Sequence, residues 1–212
     1  MKTWISAIAL AATAALAAPA AAATFDGEFW DETSVGSLND AIGVIGSRAA
    51  DATFASTAID YPNGARNNTP SSGTLGNFLG TDAASLSGEA GTTLTGSIFR
   101  FTGFLDLLAG VQTFSVASDD GFRLTIGGVE IGSAGRRPFR TSTFDVDAGE
   151  GVTAFELIFF EDGGLTGVEF FVDGALAAPV DAPAPVPLPA GLPLMLGALG
   201  LAGVVARRRA AA

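Results

Sequence analysis

From Ser97 onward the chain alternates apolar and polar positions in short bursts. The runs SIFRFTGFL, VQTFSVAS, FRLTI, VEI, TSTFDV, TAFELIFF and LTGVEFFVD follow one another closely, rich in β-branched and aromatic side chains and separated by Gly, Asp and Ser. Strand-sized runs at intervals of about ten residues predict an all-β, antiparallel sandwich or barrel. Three runs alternate cleanly enough to assign faces. Phe122, Leu124 and Ile126 stand opposite Arg123 and Thr125, and Phe155, Leu157 and Phe159, then Val168, Phe170 and Val172, repeat the pattern. These side chains are the predicted core. Gly127 and Gly128, between Ile126 and Val129, tolerate the positive φ angles of a tight turn and predict a hairpin from Phe122 to Ile131. The 16 phenylalanines of the chain fit a packed core better than an aromatic ligand platform.

Between Thr24 and Gly96 the pattern weakens. Gly, Ser, Thr, Asn and Asp dominate, and pieces such as TFDGEFW and DATFAST predict loops with a few short strands. Leu38, Ile42 and Ile45 have helical spacing, while Gly43 and Gly46 weaken a helix, so the state of this segment stays open.

Both ends have the look of targeting segments. Residues 1–23 combine Lys2, an apolar run from Trp4 to Leu16 and the small residues Ala20 to Ala23, the tripartite pattern of a secretory signal peptide cleaved after Ala23. The domain is expected over residues 24–174, followed by a Pro/Ala linker over 175–185, whose alternating prolines favour an extended, solvated chain. Then come Val186, Pro187, Leu188, Pro189 and Ala190, an apolar stretch from Gly191 to Ala206, and Arg207, Arg208 and Arg209. This arrangement keeps the basic cluster cytoplasmic and the domain outside, with a span short enough to be marginal as a transmembrane helix. Residues 186–209 resemble the VPLPA-CTERM sorting signal, a relative of PEP-CTERM. The resemblance implies processing by an exosortase-type membrane enzyme, transient anchoring in the inner membrane, and a destination in the cell envelope or outside the cell.

Composition narrows the chemistry. The chain has no Cys and no His, which excludes disulfide frameworks, thiol nucleophiles, zinc fingers and every His-based triad. Setting aside Lys2 and Arg207 to Arg209 leaves seven basic residues against 22 acidic ones, so nucleic acid is not a partner. Such a surface suits solubility outside the cell and the capture of divalent cations by carboxylates.

Two segments carry a second resemblance. SVASDDGFRLTIGG (Ser115 to Gly128) and ELIFFEDGGLTGVEFFVDG (Glu156 to Gly174), with GEFW (Gly27 to Trp30) before them, resemble the protective-antigen N-terminal-type domain, a lectin-like β-sandwich, over Thr24 to Gly174. In adhesins of that family adjacent aspartates joined by a cis peptide hold a calcium ion that bridges to sugar hydroxyls. Asp119 and Asp120 match that pair, and Glu161 and Asp162 are the candidate further ligands, Asp162 being preferred. The sequence lacks the Asn-containing later loop of the sugar-binding adhesins, so sugar specificity does not carry over. Asp119, Asp120 and Gly121 also suit a plain turn. Arg123 is read as structural, and Arg136, Arg137 and Arg140 as offsetting their acidic surroundings rather than contacting an acidic polysaccharide. The function these readings imply is an exported carbohydrate-binding or adhesion module that uses calcium. The alternative is a structural matrix or surface component with no small-molecule ligand. A hydrolase would need two carboxyls flanking a cleft, and adjacent aspartates suit a metal better.

Overall fold

The computed structural model describes residues 22–62 and 68–184. The signal segment through residue 21, the VPLPA motif Val186 to Ala190, the apolar stretch after it and Arg207 to Arg209 lie outside the described residues. Among the described residues no helix is long and apolar enough to cross a membrane.

The alternating runs form the expected antiparallel sandwich. Twelve strands appear in chain order: β1 (Phe25–Asp31), β2 (Ala52–Ser56), β3 (Asp60–Tyr61), β4 (Thr69–Pro70), β5 (Ser97–Leu107), β6 (Gln112–Asp119), β7 (Gly121–Ile126), β8 (Val129–Ala134), β9 (Arg140–Val146), β10 (Gly151–Glu161), β11 (Leu165–Val172) and β12 (Ala175–Leu176). One sheet has the order β2-β1-β5-β10-β7-β8; the other has β12-β11-β6-β9, with β3 and β4 also paired to β11. Ile126 pairs with Val129 across the Gly127-Gly128 turn, where φ is 58° and 81°, so the predicted hairpin is present.

The inward faces meet as predicted. Phe122, Leu124, Ile126, Phe155, Leu157, Phe159, Val168 and Phe170 are buried in one cluster, with Val172 partly buried against it. The ring of Phe99 lies at the centre, within 6.5 Å, centroid to centroid, of the rings of Phe29, Phe54, Phe78, Phe101 and Phe159.

Leu38–Ser47 is a helix, α1, which settles the segment left open by the sequence. Ser37 caps it by accepting the Asp40 amide. Leu38, Ile42 and Ile45 pack on Trp30, Ile98, Ile158 and Phe160, the outward-facing apolar residues of β1, β5 and β10. A Cβ at Gly43 or Gly46 would meet nothing within 4 Å, so both glycines sit where the helix packs against nothing, and tertiary burial outweighs their low propensity. A short helix, α2 (Leu75–Leu79), and a 3-10 segment (Gly80–Ser85) complete the first half. Asp82 ties this segment down by accepting from the Tyr61 hydroxyl at 2.6 Å and from the Thr57 hydroxyl at 2.9 Å.

The packing runs on past Gly174, where the sequence places the end of the domain. Ala175–Leu176 pairs with β11, Ala177 is buried in the core, and the Val180 amide donates to the Phe104 carbonyl.

Phe99→Ala is expected to lower unfolding stability by about 3–5 kcal/mol, the range for truncating a fully packed phenylalanine. Chemical denaturation followed by circular dichroism measures it.

Candidate functional site

Three times the chain leaves one sheet for the other at the same end of the sandwich. β6 passes into β7 through Asp119, Asp120 and Gly121; β8 passes into β9 through residues 135–139; β10 passes into β11 through residues 162–164. The rungs fix the meeting point: Asp119 pairs with Gly167 in one sheet, and Gly121 pairs with Phe160 in the other. Between these rungs lie Asp120, Glu161 and Asp162, residues some forty positions apart in the sequence.

The Asp119–Asp120 peptide is cis, as the family resemblance implies. Both side chains are buried, Asp119 at 8% and Asp120 at 4% exposure. Asn68, at the start of β4, donates to Asp119 Oδ2 at 2.8 Å. The Asp162 amide donates to Asp120 Oδ2 at 3.1 Å, and the Ser118 hydroxyl donates to the Asp120 carbonyl at 2.8 Å. Burial raises the Asp120 carboxyl above the ordinary aspartate range, with help from the charge of Asp119, while the Asp162 amide and Arg136 pull the other way. Gly121 is required by space: a Cβ there would lie 2.5 Å from the Ala134 carbonyl oxygen and 2.5 Å from the Phe160 ring.

Glu161 continues the parity of Phe155, Leu157 and Phe159, so its side chain points between the sheets. It is fully buried, and neither carboxyl oxygen reaches hydrogen-bonding geometry with a donor; the Gly163 amide is near enough only to pull on its charge. Burial, then the negative charges of Asp120 and Asp119, push this carboxyl up to about 9. Ser97, its rung partner on β5, and Thr166 on β11 also have buried hydroxyls without partners. Unmatched polar oxygens are thus gathered at the end that carries the aspartate pair, which is uncommon in a native interior.

Asp162 is placed differently from Glu161. Its Oδ1 accepts from the Ser34 hydroxyl at 2.6 Å and the Val35 amide at 3.1 Å, and its Oδ2 accepts from Arg136 Nη1. The Ser34 hydroxyl above all, with the Val35 amide and Arg136, holds its carboxyl below the usual range despite some burial. Its oxygens clamp the loop after β1 and the loop after β8.

The three arginines of the basic cluster also separate. Arg137 is buried, over the Phe122 ring at 5.0 Å, and donates to the Ser142 hydroxyl at 2.6 Å and to the Ser118 hydroxyl and the Arg140 carbonyl at 3.0 Å each. Arg136 is at the surface, its Nε 3.8 Å from Asp120 Oδ1. Arg123 pairs with Glu156 at 2.9 Å on the outer face of the sheet, away from the site, in keeping with a structural role. Sequence reasoning had no signal for Asn68, which belongs to no local motif with Asp119.

These groups line a shallow depression of about 410 Å³, walled by Asp119, Asp120, Arg136, Arg137, Pro138, Gly163 and Leu165. A larger one, of about 550 Å³, lies on the outer face beside β1, β2 and β5, but its charged pair, Glu28 and Arg100, is internally matched. Among the described residues no three acidic side chains already stand at metal-ligating distances.

Solved structures share this arrangement of strands. The PA14 domain of the MpAFP antifreeze protein is 25% identical with a TM-score of 0.63, covering 80% of this chain and 93% of that one. The fold is PA14-like. A PA14 sugar-binding domain from an RTX adhesin is 26% identical with a TM-score of 0.59, over 76% of this chain and 96% of that one. An anti-sigma factor domain-containing protein, 11% identical with a TM-score of 0.52, covers 78% of this chain and 51% of its own length and shares the fold alone. No protein-family model and no curated protein matches the sequence. PA14 is the protective-antigen type that the DDG and EDGG segments resemble, so the fold agrees with that resemblance.

Two outcomes follow from the geometry. A glutamate whose carboxyl is raised from 4.5 to about 9 contributes stability that is complete below pH 4.5 and fades as the pH rises toward 9. The slope is roughly 1.4 kcal/mol per pH unit where the unfolded group alone is ionised. Glu161→Gln is expected to flatten this decline, read as denaturation midpoints between pH 5 and pH 9 in chelator. Gly121→Ala is expected to cost about 1–3 kcal/mol by overpacking against β8 and Phe160, measured by thermal unfolding.

Proposed function

We propose that the chain is an exported, calcium-dependent glycan-binding module of the adhesion type, with Asp119, Asp120 and Glu161 as the protein ligands of the cation. The observation that carries this reading is Glu161, a buried carboxyl without hydrogen-bond partners at the end of the sandwich that holds the Asp119–Asp120 pair, raised first by burial and then by the charges of the two aspartates. A cation would favour the ionised form of all three carboxyls and give Glu161 the partner it lacks. The donor set is oxygen only, in a chain without His or Cys, which suits calcium and excludes sites built on nitrogen or sulfur. When bound, calcium supplies coordination places that vicinal sugar hydroxyls can fill.

The chain's own residues prepare the ligands. Asn68 orients Asp119, the Asp162 amide orients Asp120, and Arg137 with Ser118 fixes the crossing between β6 and β7. Asp162, preferred as a ligand on sequence, is assigned here to clamping the loops, and Glu161 replaces it at the metal. The RTX adhesin domain, named as sugar-binding, is among the most similar folds and supports a glycan as partner. A shallow site of this kind binds weakly and gains strength from multivalent display.

The terminal segments fit the same reading. The N-terminal segment is removed after Ala23, and Val186 to Ala190 is recognised by an exosortase-type enzyme while Gly191 to Ala206 holds the chain transiently in the inner membrane, with Arg207 to Arg209 cytoplasmic. The module then resides in the cell envelope or the extracellular matrix.

Titration calorimetry of calcium into the purified chain is expected to give a micromolar to millimolar dissociation constant. Asp119→Ala combined with Asp120→Ala abolishes the heat in a chain still folded by circular dichroism, and Glu161→Gln weakens binding about tenfold or more, whereas Asp162→Asn leaves most of it. A folded wild type that takes no calcium would sink the reading and favour a structural matrix component.

A further inference from the structure

The described arginines fall into two groups. Arg48 pairs with Glu32 and Asp51, Arg100 with Glu28, and Arg123 with Glu156, each matched to carboxylates of its own neighbourhood. Arg136, Arg137 and Arg140 instead lie together between the end of β8 and the start of β9, at the edge of the depression that holds Asp119 and Asp120. On a chain with 22 acidic residues, this is where three arginines collect among the described residues; Arg136 pairs with Asp162 and approaches Asp120, while Arg137 is held by hydroxyls and a carbonyl instead of a carboxylate.

The loop is built to hold that charge in position. Arg137 is committed to the interior, where Ser118, Ser142, the Arg140 carbonyl and the Phe122 ring fix it. That anchor places its neighbour Arg136 at the rim, with 54% of the side chain exposed. Among the described residues only Nη1 of Arg136 makes a hydrogen bond, to Asp162, and Nε stands 3.8 Å from Asp120. Nη2 makes no hydrogen bond among the described residues, and a planar guanidinium at the rim matches a carboxylate or a sulfate.

The other walls of the depression point the same way. Pro138, Gly163 and Leu165 complete it, and no aromatic ring lines it. A neutral sugar lying there finds no described ring to stack on, which leaves charge at the rim as a further means of recognition. Metal neutralisation of the carboxylates would leave Arg136 as the exposed charged group, among the described residues, that lines the depression.

We propose that Arg136 makes this site selective for acidic glycans, pairing with a carboxylate or sulfate on the sugar that lies against Asp119 and Asp120. The inference rests on the glycan-binding reading above and goes beyond it by naming the ligand class and the residue that selects it.

The test uses the purified full chain in excess calcium, titrated with a neutral disaccharide, its glucuronate-terminated counterpart and its sulfated counterpart. The acidic disaccharides are expected to bind about three- to tenfold more tightly than the neutral parent, with the advantage shrinking as salt rises. Arg136→Gln brings the ratio of acidic to neutral affinity down to about one, read against the neutral disaccharide and the calcium heat of the same variant. Equal affinity for all three sugars, no sugar binding at all, or a preference that survives in Arg136→Gln would each overturn the proposal. Calcium heat measured on the same samples separates the two readings. A wild type that takes calcium without preferring acidic sugar leaves the metal reading standing and this one fallen. A wild type without calcium heat that still prefers the acidic disaccharides through Arg136, in chelator, does the reverse.

Discussion

Two antiparallel sheets that share one core impose a constraint on a chain that serves both: it must cross from one to the other where the strands end. At a crossing the backbone leaves its ladder, and side chains that elsewhere would pack between sheets reach the mouth of the core instead. Here β6 to β7, β8 to β9 and β10 to β11 all cross at one end. The other end carries the Gly127-Gly128 turn and two further crossings, β5 to β6 and β9 to β10. The charged groups of the candidate site sit at or beside the three crossings of the first end. The depth of the aromatic core beneath, centred on Phe99, keeps the crossings from collapsing inward.

Electrostatics at the mouth is poised rather than balanced. Burial drives both Asp120 and Glu161 toward neutrality, with the charge of Asp119 adding to the first and those of Asp120 and Asp119 to the second, while the neighbouring Asp162 is held ionised by a hydroxyl, an amide and a guanidinium. Adjacent residues of one loop therefore have opposite tendencies, because one side chain points into the sandwich and the next points out. Arg136 belongs to the outward set and Arg137 to the inward set, which explains why two consecutive arginines have such different surroundings.

Much of this was legible in the sequence, and for a simple reason. Period-two alternation in FRLTI, TAFELIFF and LTGVEFFVD states directly which side chains face the core, and the Gly-Gly dipeptide states where a strand turns back. The same parity, carried two residues past Phe159, would have shown Glu161 facing inward and Asp162 outward. Other features were not written locally. Helix α1 depends on an apolar patch of Trp30, Ile98, Ile158 and Phe160 assembled from three strands, which outweighs two glycines. The Asn68 to Asp119 hydrogen bond joins residues 51 positions apart, and the burial of Arg137 depends on a pocket made by β6, β7 and β9. The strand after Gly174 has no clear sequence signal because β12 has only two residues and a Pro-rich sequence follows it.

That last short strand has a mechanical meaning. The chain leaves the sandwich through Val180, held by one hydrogen bond to Phe104, and through β12, held along one side of β11. Tension drawn through the C-terminal end would open these contacts in series, as a zip opens, and not all at once in shear. Load would therefore lengthen the tether by a few residues before it reached β11, which β6 secures on its other side. The end bearing Asp119 and Asp120 would keep its shape during that first yield.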